Sequence, residues 1–292
     1  MLSAEELFKK IREIEIHTDH LANDLFAGQY ESAFRGQGVE FAEVRQYYPG
    51  DDIRNIDWRV SARAGSLHVK KYVEERELTT MLVVDASASV DFGTASQTKA
   101  ETMAETAATL AFSAIRNNDK VGAVMFTDTA ERFVPPKKGR KQVLRLIRDI
   151  LYFQPRSNGT DIGEALDYAA RVLTRRAVVF VISDFHDTEY LHSFRTAARK
   201  HDVIGVEVYD PRERELPPIG LVEMQDAETG RTELVNLTHS ALAGEFQAAR
   251  EDASEQRRSL LNRAGADYIA IEAATSPIRP LMRFFQRRAR RR

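Results

Sequence analysis

The chain predicts an α/β protein: a doubly wound, mostly parallel sheet with helices on both faces, preceded by a helical and irregular amino-terminal region. Two observations carry this. Short, continuous apolar runs recur at about 80–85, 120–127, 177–183, 202–208 and 266–271, as expected of strands buried on both faces. Between them, stretches with helical spacing fill about 96–117, 139–153, 161–174 and 189–200, and strand–helix alternation of this kind builds parallel sheets.

Taken in order, residues Ala4 to Phe26 place Leu7, Ile11, Ile14, Leu21 and Leu25 at helical spacing and read as one or two amphipathic helices. Residues 27–78 read as irregular, rich in glycine, aromatic and charged side chains, with a single strand at Leu67–Val73. Glu131–Val134 reads as a short edge strand stopped by Pro135 and Pro136. After Tyr209 the pattern breaks at Pro211, Pro217 and Pro218. Gly220–Met224 and Thr232–Val235 then bracket a turn-rich segment, which reads as a hairpin extending the sheet edge. A long polar helix (about 239–264) leads to the last strand, and Pro277 and Pro280 precede a short basic helix. The chain thus divides into residues 1–78, an α/β domain over 79–274 with a hairpin insertion near 219–236, and a basic segment over 275–292.

The 292 residues carry 42 Lys+Arg against 44 Asp+Glu, so no global field draws the protein to nucleic acid. Cysteine is absent, which excludes disulfides, thiolate metal sites and a cysteine nucleophile. No apolar run reaches the length of a membrane span, and Met1–Glu15 is unlike a signal peptide. The expectation is a cytoplasmic protein.

The most informative local pattern is Asp85-Ala86-Ser87-Ala88-Ser89, directly after the apolar run Met81-Leu82-Val83-Val84. In extended backbone, residues two apart point the same way, so Asp85, Ser87 and Ser89 converge. Ser157-Asn158-Gly159-Thr160-Asp161 presents Thr160 at the start of a helical run, and Ser183-Asp184 closes a second buried strand. In a parallel sheet both strand ends lie at the carboxyl edge, where open α/β sheets bind ligands. Asp85, Ser87, Ser89, Thr160 and Asp184 form an all-oxygen set suited to a hard divalent cation: Mg2+, with Mn2+ and Ca2+ left open.

Those residues, in that order, resemble the metal-ion-dependent adhesion site of von Willebrand factor A domains. The resemblance implies that Ser87, Ser89 and Thr160 supply hydroxyl oxygens to Mg2+ while Asp85 and Asp184 act mostly through ordered waters. It also implies one position left open for a partner's carboxylate. Many such domains place glycine after the last aspartate, where this chain has Phe185.

A second signature lies in residues 36–70: G-x-G-x-E-F from Gly36, Arg45, Gly50-Asp51, Arg54-Asn55-Ile56-Asp57-Trp58, Ser61-Ala62-Arg63 and Val69-Lys70. Its structural reading is a loop region pinned by ion pairs among Arg45, Arg54, Arg63, Asp51, Asp52 and Asp57. This stretch also resembles the bacterial domain-of-unknown-function family 58, whose members carry a von Willebrand A-like domain and are typically encoded beside MoxR-type AAA+ ATPases. The resemblance implies a non-enzymatic, Mg2+-dependent binding module, an adaptor or co-chaperone whose partner is a MoxR-type AAA+ ATPase or the client which that ATPase remodels.

Other chemistries are weighed against this. A metal-dependent phosphohydrolase or nuclease is the enzymatic alternative, but the acid two residues after a nucleophilic Asp85 is replaced by Ser87. Neither a G-x-S-x-G elbow nor a nucleotide-binding G-x-x-x-x-G-K-[ST] loop is present. His17, His20 and Asp24 have zinc-compatible helical spacing, which solvent-facing histidines share; His186, His192 and His201 show no metal-ligand spacing. The arginine-rich tail reads as a helix docked through Leu281, Phe284 and Phe285 with a solvated basic end, and contact with an anionic surface is its functional alternative.

Overall fold

The computed structural model describes residues 24–34, 39–74, 77–94, 96–187, 189–215, 220–225, 232–236 and 240–291. Six strands form the central sheet: β3 (Thr79–Asp85), β4 (Lys120–Phe126), β5 (Ala130–Lys137), β6 (Val178–Ser183), β7 (Asp202–Tyr209) and β10 (Asp267–Glu272). Their order is β10-β7-β6-β3-β4-β5, parallel throughout except for the antiparallel edge strand β5. The chain leaves β3 for β4 on one side and returns to β6 on the other. This topological switch puts the carboxyl end of β3 at the natural ligand crevice.

Period-two alternation sends successive strand residues to opposite faces. Leu82 and Val84 join one core with α3 (Lys99–Arg116) and α4 (Arg140–Leu151), while Met81 and Val83 join the other with α5 (Ile162–Val172) and α6 (Leu191–Ala198). The long helix α7 (Ser240–Arg263) contributes Leu261 to the second core. Thr98 starts α3 with a capping box, accepting from Glu101 N at 3.2 Å while its own N–H reaches the Glu101 carboxylate.

Helix α1 (Asp24–Phe34) runs well past the Phe26 limit expected from spacing and buries Phe26, Tyr30 and Phe34. They pack on Phe285 of the carboxyl-terminal helix α8 (Ile278–Arg290), with ring centroids 5.4, 5.6 and 5.7 Å away. Helix α8 docks through Leu281, Phe284 and Phe285 as expected, but Pro280 lies inside it and its basic end is not all solvated. Arg288 pairs with Asp202 and Asp267 and donates to Ala33 O.

Three further expectations are corrected. Residues 39–74 are not irregular: β1 (Val39–Gln46) pairs antiparallel with β2 (His68–Glu74), and α2 (Trp58–Ala64) lies between them in sequence. Strand β5 passes through Pro135 and Pro136, because an edge strand tolerates a missing donor and its register shifts there. Gly122 makes this possible: a Cβ at that position would lie 2.8 Å from Val134 O and 2.9 Å from Pro136. The strands β8 (Leu221–Gln225) and β9 (Thr232–Asn236) do form an antiparallel pair, but as a separate two-stranded sheet rather than an extension of the main edge. Among the described residues, no helix is long and apolar enough to cross a membrane.

Candidate metal-ion site

Strand β3 delivers Asp85 at the carboxyl edge of the sheet, 3% exposed. Both of its carboxylate oxygens are held: Ser87 N donates to Oδ1 at 2.9 Å and Ser183 Oγ donates to Oδ2 at 2.6 Å. Ser183 in turn accepts from Phe185 N at 3.0 Å, so the two strand ends are stitched across the crevice. Beyond Asp85 the chain turns into a short 3₁₀ segment with Ser87 and Ser89 buried and their hydroxyls 3.0 Å apart. The hydroxyls meet as expected, but through this 3₁₀ turn rather than through the extended backbone that the alternate spacing suggested.

Asp184, at the end of β6, is 1% exposed and faces the same space. Burial, followed by the Asp184 charge, pushes the Asp85 carboxyl up to about 6. Burial acts on Asp184 the same way, but His186 and the Lys99 ammonium outweigh it and hold that carboxyl below its ordinary range; the Ser89 hydroxyl favours its charged form too. Thr160 sits half-buried on the neighbouring loop, which is tied to the serine loop by Ala88 N donating to Asn158 O at 3.2 Å. The next residue, Asp161, caps α5 by accepting from Glu164 N at 2.7 Å and anchors the loop by donating its N–H to Thr127 O at 2.9 Å. Asp85, Ser87, Ser89 and Asp184 therefore share one buried locus, with Thr160 on the adjoining rim.

Phe185 explains how the rim forms without glycine. Its φ of 56° is left-handed, a conformation that costs a bulky residue about 1–2 kcal/mol. The ring is 1% exposed and packs edge-on against Tyr190 at 5.4 Å. Burying a phenyl group returns about 1.5–3 kcal/mol, enough to offset the strain. Gly205 opens the space, since a Cβ there would lie 3.0 Å from Phe185 Cζ. Beside the rim lies a 450 Å³ cleft lined by Phe185, His186, Tyr190, Arg250, Arg257 and Leu260 among others.

Sequence reasoning did not find three residues next to this locus. Lys99 Nζ lies 2.8 Å from Asp184 Oδ2 and 2.6 Å from Glu213 Oε1, and His186 Nε2 lies 4.0 Å from that same glutamate oxygen. In the amino-terminal signature, Arg45 grips Asp51 with two bonds of 2.8 and 2.7 Å, and Arg54 grips Asp52. Asp57 departs from the expected arginine pairing: it caps α2 and faces Lys70 at 3.6 Å. The glycines Gly36 and Gly38, with His17 and His20, lie outside the described residues.

Sheet order and helix layers define the class, a von Willebrand A-like α/β domain. The chain belongs to the family described as Protein of unknown function DUF58, which it matches over residues 43–256. It is 32% identical over 289 residues to Uncharacterized protein Rv1480 of Mycobacterium tuberculosis, covering 98% of this chain and 90% of that protein. Among solved structures, an aerotolerance-related membrane protein from Bacteroides fragilis shares the fold with a TM-score of 0.50 at 17% identity, covering 74% of this chain and 100% of the other. The VWA domain of SpRpn10 is similar at a TM-score of 0.41 and 14% identity, over 70% of this chain and 93% of that domain. At such identities the likeness concerns the fold alone.

Proposed function

We propose that this chain is a cytoplasmic, non-enzymatic, Mg2+-dependent protein-binding module, an adaptor or co-chaperone for a MoxR-type AAA+ ATPase in the assembly or maturation of protein complexes. The observation that carries the metal part is the meeting of two buried carboxylates and two touching hydroxyls at the switch point of the sheet. This donor set fits a hard cation: all oxygen, with two buried negative charges facing one space. Ser87, Ser89 and Thr160 would hold the ion directly, with Asp85 and Asp184 behind them. When bound, the ion offers an electrophilic position that a partner's aspartate or glutamate can occupy with a charge-assisted bond.

The chain's own residues prepare that encounter. Ser183 and the Ser87 N–H fix Asp85, so that the hydroxyl loop is set before a partner arrives. The cleft lined by Phe185, Tyr190 and Leu260 leaves room beside the rim for a partner's side chain. The non-enzymatic reading is supported by the engagement of both Asp85 oxygens and by Ser87 where a phosphohydrolase needs its acid. The ATPase partnership rests on the resemblance carried by the signature of residues 36–70.

Co-purification of the tagged protein from its own cells, in Mg2+ and in EDTA, tests the reading, with Asp85→Ala as control. Retention of an AAA+ ATPase or its client only with Mg2+ and an intact Asp85 is expected. Equal retention in all three conditions would move the interface away from the crevice.

A further inference from the structure

Lys99 is a fully buried lysine with 0% exposure, at the first position of α3. Burying an ammonium costs several kcal/mol unless charge and hydrogen bonds meet it, so its surroundings should be specifically built. Two distant segments and one nearby loop supply them. Asp184 comes from the end of β6, and Glu213 from a 3₁₀ turn after β7. Phe92 brings its ring to 5.8 Å from Nζ. The glutamate is itself held, accepting from Asp210 N through Oε2 at 3.0 Å, while the Asp210 carboxylate accepts from Thr94 N and Thr94 Oγ1 at 2.8 and 2.6 Å. Burial opposes the charge on Lys99, yet Asp184 and Glu213 raise its pKa above the ordinary value.

The ligand atoms of Asp184, His186 and Glu213 lie within 4.8 Å of one another, a spacing suited to a three-ligand metal site. The ammonium bridges its two carboxylates. We infer that Lys99 is a protein-supplied substitute for a metal ion: a resident cation beside the serine crevice that positions Asp184 through Oδ2. Counting Asp85, Asp184, Glu213 and Lys99, the locus carries a net charge of about −2 at neutral pH with the lysine and about −3 without it. Removing the ammonium exposes two carboxylates and an imidazole that a divalent ion can occupy. A lysine that served packing alone would, on removal, change stability and nothing else.

The test is calorimetric titration with Mn2+ of wild type, Lys99→Met and Lys99→Gln, each checked for fold by circular dichroism. Glutamine keeps a donor for Asp184 while losing the charge, so it preserves a folded sample if methionine does not. Both variants should gain one further equivalent of Mn2+, or bind it at least about tenfold tighter than wild type, and Mn2+ should raise their melting temperatures more than that of wild type. The same gain should persist with Ser87→Ala and Ser89→Ala added, because Asp184, His186 and Glu213 hold the new ion. If wild type binds no Mn2+ while Lys99→Gln gains one equivalent, the serine-site reading falls and this one stands. Folded Lys99→Gln with the stoichiometry and affinity of wild type, or weaker, would overturn it.

Discussion

Asp119 offers a perturbation whose size can be worked out from the structure. It is 2% exposed, just ahead of β4; its Oδ1 accepts from Leu78 N at 2.9 Å, and its Oδ2 has no hydrogen-bond partner. Burial pushes the carboxyl up to about 7 from an ordinary 3.8, against the pull of the Leu78 N–H, the nearby Tyr30 hydroxyl and Lys138; Glu31 pushes it further. A folded pKa above the unfolded one means the native state holds the proton more tightly. The stability is then fully present below about pH 4 and is lost as pH rises through 7. A shift of roughly three units amounts to about 4 kcal/mol, of which about 2.5 kcal/mol falls between pH 5 and pH 8. Asp119→Asn mimics the protonated form and keeps the Leu78 bond. Urea unfolding of both proteins at pH 5, 6, 7 and 8 should show the variant gaining on wild type by about 2.5 kcal/mol across that range. A constant difference between the two would refute the reasoning, as would a variant that loses ground with rising pH.

Other consequences follow from packing. Arg288→Met strips Asp202 and Asp267 of their cation in the last turn of α8 and should cost about 3–5 kcal/mol, read as a fall in melting temperature. Gly122→Ala drives a Cβ to within 2.8 Å of Val134 O and should cost about 1–3 kcal/mol, with faster amide exchange confined to β5. Thr98→Ala removes the capping box of α3 and should cost about 1 kcal/mol by the same thermal measurement.

The parallel strands were legible because each is a short apolar run closed by turn residues, and the Asp85–Ser89 pattern because its geometry is local. What remained hidden depends on contacts between distant segments. Lys99 follows a helix-capping threonine and looks like a solvated first-turn residue; only folding brings Asp184 and Glu213 to it. A partial signal existed, since Asp210-Pro211-Arg212-Glu213 has the spacing of a capping box and marks an ordered turn. Spacing gives no sign of His186 as a ligand, because Glu213 reaches it from 27 positions along the chain. Helix α1 extends beyond what spacing suggests because it runs on through Gly28 to Phe34. Glu40, Glu43 and Arg45 break up the apolar residues of β1, a pattern that suits a two-stranded ribbon better than a buried strand and hides it from an apolar-run reading.

The central claim is that Ser87, Ser89 and their neighbours hold a divalent ion, and Mn2+ binding followed by electron paramagnetic resonance tests it most directly. Wild type should bind one equivalent, displaced by excess Mg2+, and the folded Ser87→Ala/Ser89→Ala double variant should lose it. Equal Mn2+ binding by the two proteins would contradict the account, because the ion would then lie elsewhere.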